Sequence, residues 1–240
     1  MTISTTTGRT DTWNDWRAER NRAATAPLGI ASVTGTHWLT DEPLTIESLP
    51  GTWSAVDGRA VSSAGVTLAP GESQAIGDLS VSGLARAGEV AVRVFDPQAP
   101  TRLALSGIDA FEPDPAWIID GVLDSREELS IEHIDGFVGA KETVVLRAVI
   151  AGEERTLSAI AAPDGSAQVV FADSTNGTET QRFRFLNVSV GEVGEPVVID
   201  FNRAFLPPCT FTDHYLCPLP PQNNRFDFPV RAGESRLKAK

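Results

Sequence analysis

At Pro27 the spacing of apolar residues changes from the period of a helix to that of a strand, and it does not change back. Ahead of that proline, Trp13, Trp16, Arg17, Arg20, Ala23 and Ala24 follow a candidate cap at Asp11 or Thr12. This pattern predicts one helix over roughly residues 12 to 24. Trp13 and Trp16 share a face at i,i+3 with Arg17 and Arg20 close by, so the indoles are expected to dock on the body and the guanidinium groups to lie at the edge. Beyond Pro27, Val90, Val92 and Val94 alternate with Ala91, Arg93 and Phe95, as in a strand with one buried face. Similar short runs recur at 65–69, 79–84, 117–123, 143–150, 155–160, 167–171, 181–190 and 197–201. Asp57-Gly58 and Pro163-Asp164-Gly165 each separate two such runs, as hairpin turns do. The expected fold is all-β with one short amino-terminal helix.

Two stretches resist this pattern. Asp96 to Thr101, with Pro97 and Pro100, reads as a linker, and Phe111 to Pro115 as a second rigid segment outside any strand. The expected organisation is a tail and helix over 1–25, a small β-sandwich over 26–96, and a larger sandwich or barrel over 97–240. Near the carboxy terminus, Pro207, Pro208, Pro218, Pro220 and Pro221 place five prolines within fifteen residues. Each removes a backbone donor, so this is an ordered loop rather than a central strand, packed by Phe205, Phe211 and Leu219.

Charge narrows the range of partners. With 20 basic against 32 acidic side chains the formal net charge is −12, and no basic stripe is present. Nucleic acid and anionic membranes are therefore not expected as partners, because phosphate neutralisation supplies most of such binding. No apolar run is long enough for a spanning helix, and the opening MTISTTTGRTDTW lacks the apolar core of a secretory signal. The expectation is a soluble cytoplasmic protein whose Cys209 and Cys217 are thiols. The sequons at Asn176 and Asn187 read as turn and strand residues.

The carboxy-terminal residues carry a resemblance. Asp200-Phe201-Asn202, Pro207-Pro208-Cys209, Cys217-Pro218-Leu219-Pro220-Pro221, Asn224-Arg225 and Ala232-Gly233-Glu234 resemble the signature of the bacterial and archaeal domain-of-unknown-function family 1684. Trp16-Arg17, Arg20, Gly35, Trp38-Leu39, Trp117, Asp173 to Gly177 and Arg184 to Leu186 stand where that family has similar residues. The resemblance implies kinship and carries no activity with it. This chain departs from it at Phe205-Leu206, where the family has Tyr-Asn, and over Thr180 to Arg184. The forkhead-associated pattern of many relatives survives only as Leu49-Pro50-Gly51.

Several constellations bear chemistry. Cys209, His214 and Cys217 offer three ligands where a structural zinc needs four, and two small thiols beside an exposed histidine read as well; no metal or cofactor is expected. A thiol activated by Arg203 or His214 is a further reading. Placed on a strand, Asp200 and Asn202 would share one face and, with Asp173, line a pocket with Asp200 or Asp173 as acid or base. Alternatively, Asp200 and Asn202 satisfy the backbone of the Pro-rich loop. Arg225, after Asn224, either clamps an anion or pairs with Glu234. The Asp173 turn reads as side-chain capped with a left-handed Gly177, or as an anion cradle. His37, beside Trp38, is either a base in a cleft or a half-buried core residue. His133 reads as a solvated turn residue. The expected function is binding of a small polar or anionic molecule at the Pro-rich loop by Asn202, Arg203, Asn224, Arg225, His37 and Trp38. Two other readings stand beside it: an acid–base hydrolase or isomerase using Asp200 or Asp173, and a structural or partner-binding protein.

Overall fold

The computed structural model describes residues 5–240, with side chains from Thr12 onward. Helix α1 (Thr5–Thr25) runs through both expected caps, so neither Asp11 nor Thr12 starts it, and the Asp11 side chain lies outside the described residues. Pro27 ends it for lack of an N–H. No helix among the described residues is long and apolar enough to cross a membrane.

The protein is mostly β, and it divides into two compact units. One comprises Arg22–Ser106, Phe211–Tyr215 and Ala239–Lys240. Its strands are β1 (Val33–Leu39), β2 (Leu44–Thr45), β3 (Thr52–Val56), β4 (Arg59–Ser62), β5 (Thr67–Leu68), β6 (Ser73–Ile76), β7 (Leu79–Arg86) and β8 (Glu89–Phe95). They form two four-stranded sheets in the orders β1-β8-β7-β6 and β2-β3-β4-β5. The alternation read from Val90, Val92 and Val94 buries all three against Trp53, which is wholly inaccessible, with Leu39, Ile46, Leu68 and Val81 completing this sandwich core. Asp57-Gly58 closes the β3–β4 hairpin with positive φ at both residues, the geometry that makes this dipeptide a hairpin turn. The segment Asp96 to Thr101 leads into a short helix, α2 (Pro100–Ala104), with proline at its first turn, where a missing N–H costs nothing.

The other unit holds α1 up to Asn21, Gly107–Thr210 and Leu216–Lys238. Its strands β10 (Ile118–Glu132), β11 (Val138–Ile150), β12 (Glu153–Ala161), β13 (Ser166–Phe171), β14 (Arg184–Ser189) and β15 (Pro196–Asp200) form one antiparallel sheet, ordered β14-β13-β12-β11-β10-β15. The sheet curls into a nearly closed barrel. A separate pair joins β9 (Leu105–Ala110) to β16 (Glu234–Ala239). Leu123, Leu146, Leu157, Val169, Leu186 and Ile199 pack inside with Phe171, Phe201 and Phe226, so the barrel interior is filled by side chains. Phe201 is the hub, edge-on to Phe171 at 5.3 Å and to Trp117 at 5.9 Å.

Two strands run well past their predicted ends. β10 continues nine residues beyond Leu123 and β11 begins at Val138, because the two pair as a long hairpin. That extension carries Arg126, Glu127, Glu128 and Glu132 in a mostly exposed ladder that leaves little apolar period to read. Truncating Trp53 to Ala is expected to lower stability by about 3–5 kcal/mol, the usual cost of removing a fully buried indole. A fall of that size in denaturant-unfolding free energy checks it.

Candidate functional site

The motif residues fall into two networks within the barrel unit and one cluster in the sandwich unit. The first network centres on Arg184, the first residue of β14. Flanked by Phe183 and Phe185, its guanidinium is wholly buried against the Phe171 ring at 5.0 Å. Nη2 donates to Asp173 Oδ2 at 2.7 Å and to the Val230 carbonyl at 2.7 Å, and Nη1 to the carbonyls of Ala232 and Glu234. One side chain thus ties three alternate carbonyls of the carboxy-terminal segment. Burial pushes the Arg184 pKa down while the Asp173 carboxylate opposes the fall.

Asp173 is fully engaged. Its Oδ1 accepts from Thr175 N at 2.8 Å, Thr175 Oγ1 at 2.5 Å and Val230 N at 3.3 Å, and its Oδ2 is held by Arg184. Both oxygens of this buried carboxylate are bonded to the chain, which gives the acid–base role read for Asp173 no geometric support. The turn that follows has side-chain caps and a left-handed Gly177 at φ +78°. Its N–H groups are all taken: Ser174 donates to Phe228 O, Asn176 to Asp173 O, Gly177 to Thr180 O, and Thr178, Glu179 and Thr180 to Thr175 O. The anion-cradle reading fails for want of donors. Asn176 folds inward to Thr180 Oγ1 at 2.9 Å and Asn187 lies on β14, as read for the two sequons.

Asn224 is wholly buried and pins two strands. It accepts from Ser158 N at 3.0 Å and donates to Ser158 O at 2.8 Å and Val170 O at 2.7 Å, bridging β12 and β13. The neighbouring Arg225 is exposed and does not meet Glu234, contrary to one of its two readings.

Glu234 belongs instead to the second network. Also wholly buried, it accepts from Arg20 in a two-pronged contact at 2.8 and 2.9 Å, from Arg17 at 3.4 Å and from Leu206 N at 2.8 Å. Trp13 Nε1 donates to Asn202 O at 3.0 Å, and Arg20 covers the Phe205 ring at 4.8 Å. The guanidinium groups of α1, expected at the edge, are therefore its docking groups. A carboxylate without water around it needs cations, and this one draws them from the helix.

Asp200 and Asn202 do not share a strand face. β15 stops at Asp200, and Phe201–Arg203 forms a 3₁₀ turn. The Asp200 carboxylate caps that turn, accepting from Asn202 N at 3.1 Å and Asn202 Nδ2 at 3.0 Å, with Arg203 at 3.6 Å. Asn202 is buried and pairs both ways with the Asp114 backbone at 2.9 Å. The backbone it satisfies is thus the rigid Phe111–Pro115 segment, not the Pro-rich loop. The turn arises because Phe201 must turn inward to the aromatic hub, and a straight strand would carry it past.

The third cluster lies in the sandwich unit. His37 and Trp38 lie on β1, half-buried, beside the Phe211–Tyr215 stretch of the Pro-rich loop. Thr36 Oγ1 donates to His214 O at 2.8 Å and accepts from Arg93 Nε at 3.0 Å, while the Arg93 guanidinium covers the Tyr215 ring at 4.4 Å. Arg86 stacks on Trp38 at 4.7 Å. The His37 imidazole folds back over Gly35, where any Cβ would collide with it. Burial, and then the charge of His214, push the His37 pKa below its ordinary value. The sequence reading singled out His37 and Trp38 but missed His214 beside the former and Arg86 over the latter, with Arg93 on the Trp38 face of the strand pair. Arg93 breaks the Val90-Val92-Val94 pattern only on its polar phase, where an arginine is unremarkable.

Cys209 and Cys217 are thiols, with Cys209 N donating to Cys217 Sγ at 3.3 Å. Among the described residues, no three His, Cys, Asp or Glu side chains gather at metal-binding distance. His133, read as a solvated turn residue, is instead buried, its Nδ1 bonded to Leu216 O at 2.9 Å.

Replacing Asp173 by Asn is expected to lower unfolding free energy by about 3–5 kcal/mol, because it leaves the Arg184 charge buried without its partner. Arg225→Ala is expected to stay within about 0.5 kcal/mol. Chemical denaturation of the two variants side by side checks the pair.

A family described as "Protein of unknown function (DUF1684)" matches residues 104–235. Among solved structures, the solution NMR structure of an uncharacterized protein of Haloarcula marismortui is similar at 24% identity, covering 55% of this chain and 76% of that one, with a TM-score of 0.44. None of the curated proteins matches.

Proposed function

Since the chain belongs to the DUF1684 family, whose description specifies no reaction, we propose from its own chemistry that it binds a small anionic molecule at the His37–His214 cluster. The observation that carries this reading is the half-buried His37, held toward its neutral form by burial and by a second imidazole. A bound anion would offset both penalties at once, by setting an opposite charge beside the His37 ring. His214 comes from the Phe211–Tyr215 stretch, while Trp38 and Arg93 lie on the other face of the strand pair, in a chain whose net charge of −12 is otherwise unwelcoming to anions. The motif residues of the barrel unit supply the frame rather than the site, since Asp173, Asn202 and Asn224 spend their polar atoms on the chain itself.

The hydrolase reading rests on Asp200 alone, whose side chain is about a quarter exposed beside Arg203. It lacks a second acid or base among its bonded neighbours. Asp200→Asn is therefore expected to leave anion binding unchanged.

The pH dependence has a definite sign. Without a ligand, protonating His37 costs the fold. Its contribution is constant above the ordinary histidine pKa of about 6.5 and stability falls as the pH drops from there through the lower folded value. With inorganic phosphate as probe, the NMR titration midpoint of His37 is expected to move upward, and the melting temperature to rise with the logarithm of phosphate concentration. Both effects should vanish in the His37→Gln, His214→Asn double variant. A melting temperature indifferent to phosphate and to other small anions, or a rise that survives in that variant, would sink the reading and favour the structural or partner-binding one.

A further inference from the structure

We propose that Cys209 and Cys217 are a modification site, an oxidisable dithiol that a small disulfide such as glutathione disulfide converts into an intrachain disulfide. The inference does not rest on anion binding. The hydrogen bond of 3.3 Å from Cys209 N brings the Cys217 sulfur within about 5 Å of Cys209 Cα. The Cα–Cβ–Sγ reach of Cys209 plus an S–S bond of about 2.05 Å covers that separation, so closure needs no large backbone movement.

The backbone on either side is already held. Pro207 and Pro208 precede Cys209, and Thr210 N donates to Pro207 O at 2.9 Å. Cys217 is followed by Pro218, which bridges His133, and Ile134 N donates to Cys217 O at 3.0 Å. With φ fixed at three prolines and the carbonyls tied, little chain entropy remains for closure to remove.

The two sulfurs differ in the way a two-step exchange requires. Cys209 is half-buried and reachable, whereas Cys217 is buried. The Cys209 thiolate attacks one sulfur of glutathione disulfide, forming a mixed disulfide and expelling one glutathione thiolate. Cys217, its thiolate stabilised by the Cys209 N–H, then attacks the Cys209 sulfur and expels the second. In total, two protein thiols become one disulfide and one glutathione disulfide becomes two glutathione thiols, so electrons and protons balance.

The placement gives the bond a consequence. Thr210 lies in the barrel unit, Phe211–Tyr215 in the sandwich unit, and Leu216 in the barrel unit again. The cysteines thus stand at the neck of an arm whose middle bonds to β1, through Thr212 Oγ1 to Val33 O at 3.1 Å and Thr36 Oγ1 to His214 O. Oxidation would turn that neck into a closed ring and suppress the openings that release the arm.

The test equilibrates the reduced full chain, folded, in glutathione buffers of graded ratio, followed by alkylation and peptide mass spectrometry. The expected result is simultaneous loss of both thiols to a Cys209–Cys217 disulfide, with amide exchange over Phe211–Tyr215 slowed several-fold. Cys217→Ser should stop at the glutathione adduct on Cys209, and Cys209→Ser, a substitution at a half-exposed site, should leave Cys217 unmodified. A lasting glutathione adduct on Cys209 of the unsubstituted chain would overturn the proposal. So would oxidation seen only in denaturant, or a disulfide that leaves exchange in the arm unchanged.

Discussion

The barrel unit depends on a single buried guanidinium. Arg184 is enclosed by Phe171, Asp173 and three carbonyls, and losing any one of these partners leaves a charge in a medium that cannot solvate it. The requirement propagates outward. The Asp173 carboxylate that meets the guanidinium also draws in Thr175 and the Val230 amide, and the turn up to Thr180 is set. Held at Val230, Ala232 and Glu234, the carboxy-terminal segment then presents the Glu234 carboxylate to Arg17 and Arg20 of α1. Gly233 fits this path because a Cβ there would strike the Ala204 carbonyl, and its φ of +74° suits glycine alone. A signature of separate short motifs is thus one connected electrostatic structure.

That connection changes what the motif residues mean. Carboxylates and carboxamides on a rigid loop invite a catalytic reading, and each has the right chemistry for it. What decides against that reading for Asp173, Asn202 and Asn224 is saturation: every strong bond they make goes to the chain itself. Polar atoms buried in a filled barrel must be matched, and matching them leaves nothing for a substrate.

The fold class was legible because it rests on local pattern. Period-two alternation marked Val90 to Phe95, Asp57-Gly58 marked a hairpin, and clustered prolines marked the loop. Partners distant in sequence were not legible. Nothing local tells Glu234 that it meets Arg20, or Arg184 that it meets Asp173, since burial of a charge is decided by the assembled core. Asp200 to Arg203 misled for a related reason. The alternation there is good, but the aromatic hub needs Phe201 inside, and tertiary packing overrode the period. The charged half of β10 was missed because a two-stranded ladder with both faces wet carries no hydrophobic signature. His37 and Trp38 stood out through their rarity in the sequence, whereas Arg93 could not, being one of many arginines on polar phases.

The contact between Arg20 and Glu234 joins residues 214 positions apart. On a ribosome, where a chain appears in order, α1 waits for all of the intervening chain before its counter-charge emerges. Until then its indoles and guanidinium groups have no docking surface, and the barrel lacks the segment that Arg184 must hold. The decisive folding step of this unit therefore cannot come before Glu234 has been made. Over that interval Trp13 and the aromatic hub lack the carboxy-terminal partners that bury them in the finished fold.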